Sequence, residues 1–369
     1  MINMLKFVSV ISIFITILFI ANIMYMELQS QSYVHAQNSS VNEVSMNDTS
    51  RFYIPITISK ESQEKLENIT SNMPRFTTPG SNDLEGWKKL NQQVESMIMA
   101  ESAPILARLE PNVTFTRLGD VNVLDIKPKD WTDNGKVLVY THGGGYTILS
   151  ANSTLSNAAI IANTTGLRVI SIDYTLAPLS KWNQTTDEVV SVIKTLVNEQ
   201  GYSLQDDIAM FGDSAGGGLV AGSVLKMRDE GVGIPAAIVL WSPWTDVTGE
   251  GDTYVTLKNA DLFISEDLML KNMAGAYANI EDQKRPYVSP IYGDFTNGFS
   301  PALIQVGTKE ILLSDSVRLY QALDQAGISV KLDVYEGMPH VFQSNLANTT
   351  ESNLAIEKTG EFLKEYLKY

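Results

Sequence analysis

The sequence predicts an α/β fold, a mostly parallel sheet with helices on both faces. Short apolar runs alternate with helical stretches from about residue 113 onward, and three of those runs end in loops rich in glycine or carrying a histidine. With 369 residues, 44% hydrophobic and 19% charged, the chain has enough apolar side chains for a large core.

Strands are expected at 113–118, 121–127, 136–141, 168–172, 208–211, 236–241, 302–306 and 330–335. Helical stretches at 155–164, 186–199, 215–229 and 314–326 separate the later ones. Alternation of this kind requires crossover helices between parallel strands, which places ligands at the carboxyl ends of the strands.

Residues 7–26 carry no charge, follow Lys6, and are long enough to span a bilayer of about 30 Å as a helix. Val34-His35-Ala36 resembles a signal-peptidase site, so residues 1–36 read either as a secretory signal or as an uncleaved N-terminal membrane anchor. Both readings put the body outside the cytoplasm, secreted or held at the membrane. Eight N-x-Ser/Thr sequons, at Asn38, Asn47, Asn68, Asn112, Asn152, Asn163, Asn183 and Asn348, point the same way. Residues 37–50 are polar and read as a tether. From 51 to 110 the pattern is helical, with Asn82 and Glu85 spaced as a capping box and Leu84, Trp87, Leu90, Val94, Met97 and Ile98 on one face. This segment is expected to cap the core formed by residues 111–369.

Charge and composition exclude several functions. A net charge of −15 repels a phosphate backbone, so no nucleic-acid partner is expected. The absence of cysteine rules out disulfides, thiolate metal sites and a cysteine nucleophile. No motif indicates a metal or a cofactor, and oligomeric state is not legible. The expected partner is a small-molecule substrate.

The chemistry concentrates at strand ends. The run 208–211 enters Gly212-Asp213-Ser214-Ala215-Gly216-Gly217, and a helix follows. Glycines two before and two after a serine are what a tight strand-to-helix elbow needs, leaving Ser214 exposed at a helix N-terminus. The strand ending at Thr141 leads to His142-Gly143-Gly144-Gly145-Tyr146, whose glycines free backbone N–H groups to converge on an oxyanion. No Lys-Ser/Thr follows, so a phosphate loop is not indicated. A serine nucleophile needs a base, and only His35, His142 and His340 exist. His35 lies in the leader and His142 opens the glycine loop, where it is expected to fix that loop by hydrogen bonds. His340, directly after the strand ending at Tyr335, remains. The acid that orients it comes from the loop after 302–306, which offers Glu310 and Asp315. Glu310 is nearer the strand end and is favoured, whereas Asp315 starts a helix and reads as a cap. The order Ser214, Glu310, His340 is that of a nucleophile-elbow hydrolase.

HGGGY at 142, DYTLAP at 173, GDSAGGGLV at 212, SPWTD at 242, GTKEILLSDS at 307 and EGMPHVF at 336 together resemble the hormone-sensitive-lipase-like branch of the α/β-hydrolases. The resemblance spans roughly residues 75–369. It implies the α/β-hydrolase fold, a helical cap completed by an insertion at about 244–290, oxyanion donors at Gly144, Gly145 and Ala215, and an Asp or Glu acid. The chain departs from the family after Ala177-Pro178, where it continues Leu179-Ser180-Lys181-Trp182-Asn183, so the pocket there is expected to differ. The expected activity is a serine carboxylesterase acting on short- to medium-chain esters through an acyl-enzyme. A lipase, an extracellular deacetylase or a non-catalytic small-molecule-binding homologue are the alternatives. Tyr146 and Trp244, with Trp87, Met97, Ile98, Met99 and Phe263, are candidate pocket residues by position.

Overall fold

The computed structural model describes residues 53–72, 77–264 and 267–369; the apolar run, the cleavage site and the tether expected within 1–50 lie outside them. Two helices come first, α1 (Lys60–Asn72) and α2 (Leu84–Leu109). Asp83 caps α2, its carboxylate accepting the Gly86 N–H, in place of the expected Asn82–Glu85 pair. An aspartate already one residue upstream of Leu84 meets the orphan amides without help from Glu85.

Strands β1 (Asn112–Leu118) and β2 (Val121–Lys127) form an antiparallel hairpin, because only Gly119 and Asp120 lie between them. There follow β3 (Val137–Thr141), α3 (Leu155–Thr165), β4 (Arg168–Ile172), α4 (Trp182–Asn198), α5 (Leu204–Asp207), β5 (Ile208–Asp213), α6 (Ala215–Asp229) and β6 (Ala237–Trp241). A long insertion then carries α7 (Thr253–Thr256) and α8 (Asp267–Tyr277) before β7 (Ala302–Gly307), α9 (Leu313–Gln325), β8 (Val330–Tyr335), α10 (Phe342–Asn345) and α11 (Thr350–Leu367). The eight strands run in the order β1-β2-β4-β3-β5-β6-β7-β8. β2 meets β4 antiparallel, and every later pair is parallel.

Period-two alternation divides the core. In β3, Val137 and Val139 join the apolar cluster that includes α4 and α6, whereas Leu138 and Tyr140 join the one that includes α3 and α11. Ile208 and Met210 of β5 follow the first face, Ala209 and Phe211 the second. Every residue of β3, β5, β6 and β7 is buried, as a sheet covered on both faces requires.

The reversal of strand order around β3 decides where a site can form. β3 lies between β4 and β5, so the chain leaves the carboxyl end of β3 towards one face and that of β5 towards the other, opening a crevice between them. Thr141 pairs with Gly212, which puts the two glycine loops side by side.

Phe211 is fully buried, stacked on Tyr140 at 4.3 Å between ring centroids and tilted against Trp241 at 5.5 Å. Replacing Phe211 by alanine is expected to cost about 3–5 kcal/mol through the cavity it leaves. The check is a chemical-denaturation midpoint, which should fall at an unchanged slope.

Candidate active site

Ser214 joins β5 to α6 with φ 54° and ψ −124°, a strained conformation for a residue with a side chain. The strain is imposed by close packing: a Cβ on Gly212 would collide with Gly216, and one on Gly216 would collide with the Thr141 carbonyl of β3. The Ser214 N–H is fixed by the Trp241 carbonyl at 2.8 Å, so β6 holds the turn from the far side.

The loops after β7 and β8 complete the arrangement. His340 Nε2 lies 2.9 Å from Ser214 Oγ, and its Nδ1 lies 2.8 Å from Glu310 Oε2. Glu310 is wholly buried, and its other oxygen accepts the Gly307 N–H at 2.6 Å and the Ser242 hydroxyl at 2.9 Å. With Nδ1–H donating to the carboxylate, Nε2 faces the serine with a free lone pair. Burial by itself lowers the pKa of His340. The hydrogen bond and charge of Glu310, assisted by Asp261 and Asp213, overcome this and raise it above the usual 6.5. The two loops are stitched together directly, Lys309 N–H donating to the Met338 carbonyl at 3.0 Å and Gly337 N–H to Thr308 Oγ1 at 2.8 Å.

Asp315, the alternative acid, does not reach His340. Its Oδ2 accepts the N–H groups of Thr245 at 2.9 Å and Asp246 at 2.8 Å. Five residues beyond Glu310 the chain has entered α9, so the side chain points to the insertion after β6 and not to the base.

The glycine loop after β3 is held by two expected residues and two unexpected ones. Asp213 is buried, and its carboxylate takes the Tyr140 hydroxyl and the Gly143 N–H; burial pushes its pKa up. A Cβ on Gly143 would strike that carboxylate. Gly143 spends its N–H on Asp213, while Gly144 and Gly145 follow in the left-handed region at φ +102° and +60°, and Ala215 opens α6 directly after Ser214. His142 stacks on Tyr174 at 4.2 Å and its Nδ1 donates to the Gly143 carbonyl at 2.7 Å, while Tyr174 donates to the His142 carbonyl at 2.8 Å. Burial lowers the pKa of His142 to about 4, so at neutral pH it is an uncharged loop brace.

The pocket candidates fare differently. Tyr146 and Trp244 are both 1% exposed, stacked with Tyr277 beneath the loop, so they support the site as core and present no open wall. Their large aromatic area is better satisfied there than at a solvated rim. Trp87 is also buried, its indole N–H donating to the Gly80 carbonyl at 3.0 Å, whereas Met99 lies on the surface. Ile98 and Phe263 are partly buried against the core. The atypical segment after Pro178 anchors the insertion to the body. Lys181 donates to the Ala276 carbonyl at 2.7 Å and the Gly275 carbonyl at 3.3 Å, capping the end of α8.

Ser242, Tyr140 and Tyr174 are not marked as site residues by the sequence reading. Ser242 follows β6 directly, a strand-end position shared with the predicted site residues, and that position is the signal that could have marked it. Tyr140 sits in an apolar run with nothing local to distinguish it, whereas Tyr174 lies just beyond β4 in the DYTLAP motif, which could have marked it. Among the described residues, no group of three His, Asp or Glu is arranged to hold a metal ion.

A model of the alpha/beta hydrolase fold matches residues 138–344. An acetyl-hydrolase from Streptomyces hygroscopicus is 33% identical over 67% of this chain and 82% of its own length. An esterase from Acinetobacter venetianus is 30% identical over 62% of this chain and 74% of its own length. The crystal structure of an esterase of the bacterial hormone-sensitive lipase family superposes with a TM-score of 0.71 at 30% identity, covering 84% of this chain and 99% of that one. The chain belongs to the α/β-hydrolases, in their hormone-sensitive-lipase-like branch.

Gly143→Ala should disrupt the site without unfolding the protein, because the added methyl displaces the Asp213 carboxylate and with it the glycine loop. A fall in kcat of about 100-fold or more against small aryl esters is expected. Melting temperature, measured beside it, should change little.

Proposed function

We propose that the protein is a serine carboxylesterase acting on short-chain esters, with Ser214, His340 and Glu310 as its catalytic triad. The observation that carries this reading is the unbroken chain of contacts from Ser214 Oγ through both nitrogens of His340 to Glu310, at 2.9 and 2.8 Å. Ser214 attacks the ester carbonyl while His340 Nε2 takes its proton, and buried Glu310 stabilises the imidazolium that forms. The N–H groups of Gly144, Gly145 and Ala215 receive the negative charge that develops on the carbonyl oxygen. Protonated His340 then delivers the proton to the departing alcohol. Water repeats the sequence on the acyl-enzyme, regenerating Ser214 and releasing the acid. The acetyl-hydrolase and esterase names of the relatives support this chemistry and favour a small acyl group.

Ser214→Ala should lower kcat for p-nitrophenyl acetate by roughly 10⁴-fold or more with the fold retained. Wild-type protein should be labelled rapidly at one serine by a fluorophosphonate. A folded wild-type chain that takes no label would instead be a binding homologue. Glu310→Gln should remove most activity and move the acid limb of kcat/KM to lower pH, because the carboxylate that raises the His340 pKa is gone; Asp315→Asn should do neither.

We further propose that the enzyme works outside the cytoplasm, secreted or anchored through residues 7–26. The charge-free run supports this, as does the exposure of the sequon asparagines within the described residues: Asn68, Asn112, Asn152, Asn163, Asn183 and Asn348. Among the described residues no helix is long and apolar enough to cross a membrane, so attachment would fall to that run. Fractionation of producing cells should find the esterase in the membrane or the medium, and recovery only from the cytosol with residue 1 intact would dismiss the proposal.

A further inference from the structure

A second carboxylate stands behind the triad. Asp261 lies in the insertion between α7 and α8 and is 4% exposed. Its Oδ1 accepts the N–H groups of Phe263 and Ile264, both at 2.9 Å, which closes a tight turn. Its Oδ2 accepts the Ile311 N–H at 2.8 Å, and Ile311 is the residue directly after Glu310. The neighbouring Leu262 packs into the apolar cluster of Met338 and Phe342, which flank His340 in sequence. One turn of the insertion therefore holds the acid loop by a hydrogen bond and the base loop by apolar packing.

The choice of an aspartate here needs a reason. All three of its donors are neutral backbone amides, and no lysine or arginine pairs with it among the described residues. An unpaired buried carboxylate is costly, and a turn whose only duty was packing could be built from apolar residues. The group lies close enough to the triad to be felt electrostatically: its charge raises the pKa of His340, while His340 and Glu310 act on Asp261 in return.

We propose that Asp261 is a positioning residue that fastens the insertion to both triad loops and supplies a second negative charge behind the His340 imidazolium. This rests on the esterase reading above. Burial, aided by Glu310, pushes the Asp261 carboxyl up to about 6, against the opposing influence of His340 and of the Ile264 and Ile311 amides. The other acidic group acting on His340 is Asp213, which is committed to the glycine loop. Near neutral pH Asp261 is charged and favours the imidazolium. On acidification it takes up a proton, and its grip on the amides weakens.

The test is Asp261→Asn, which keeps the size of the side chain but removes its charge. The expected result is a kcat for p-nitrophenyl acetate roughly 10- to 100-fold lower per phosphonate-titrated site. The acid limb of kcat/KM should also move to lower pH, because an imidazole that loses a negative neighbour gives up its proton more readily. A folded variant with wild-type kcat per titrated site and an unmoved limb overturns the proposal. Should the variant not fold, the wild-type enzyme carries the test. On the acid side of pH 6 its log(kcat/KM) should depart from the profile of a single titrating group, since Asp261 then protonates as well as His340 and lowers the pKa of the base. A single-group profile throughout overturns the proposal equally. A wild-type enzyme inert towards esters and phosphonates would sink the esterase reading instead, so the two failures are distinct.

Discussion

The hydrogen bond between His340 and Glu310 is the interaction on which the rest of the site depends. A carboxylate with no solvent exposure must be compensated at each lone pair, and Glu310 receives the imidazole, the Gly307 amide and the Ser242 hydroxyl. Ser242 in turn accepts the Val341 N–H at 3.0 Å, so the same hydroxyl that holds the acid also holds the chain beside the base. The imidazole thus has one available orientation, with Nε2 towards the serine.

That orientation is useful only because the sheet brings four strand ends to one edge. β5 delivers Ser214, β3 the glycine loop, β7 Glu310 and β8 His340. Parallel pairing aligns the carboxyl ends, and the change of direction between β3 and β5 sets the two loops beside each other. The strain at Ser214 is carried by the rigid neighbours on either side, β3 below and β6 beyond, not by the loop itself.

The acidic groups of this region show how environment separates like side chains. Glu310 bonds the base, Asp213 fixes the glycine loop, Asp315 gathers the amides after β6, and Asp261 bridges the insertion to the acid loop. All four are buried carboxylates, and their roles follow from which donors each one meets.

The linear sequence determined the elements and singled out Ser214 as the proposed nucleophile. Strand runs such as 121–127, 168–172 and 330–335 coincide with β2, β4 and β8, since period and length suffice to mark a strand. Ser214 and the glycine loop were equally legible, because close backbone approach leaves glycine as the only residue that fits. His340 followed from the scarcity of histidine. Tertiary structure alone brought Glu310 rather than Asp315 to His340, moved Tyr146 and Trp244 from pocket to core, and gave Ser242, Lys181 and Asp261 their partners. Each of those depends on contacts between residues tens of positions apart, such as Ser242 with Glu310 and Asp261 with Ile311. Local pattern records what a residue is and which face it turns, but the partner it meets is fixed only when the sheet closes the distance.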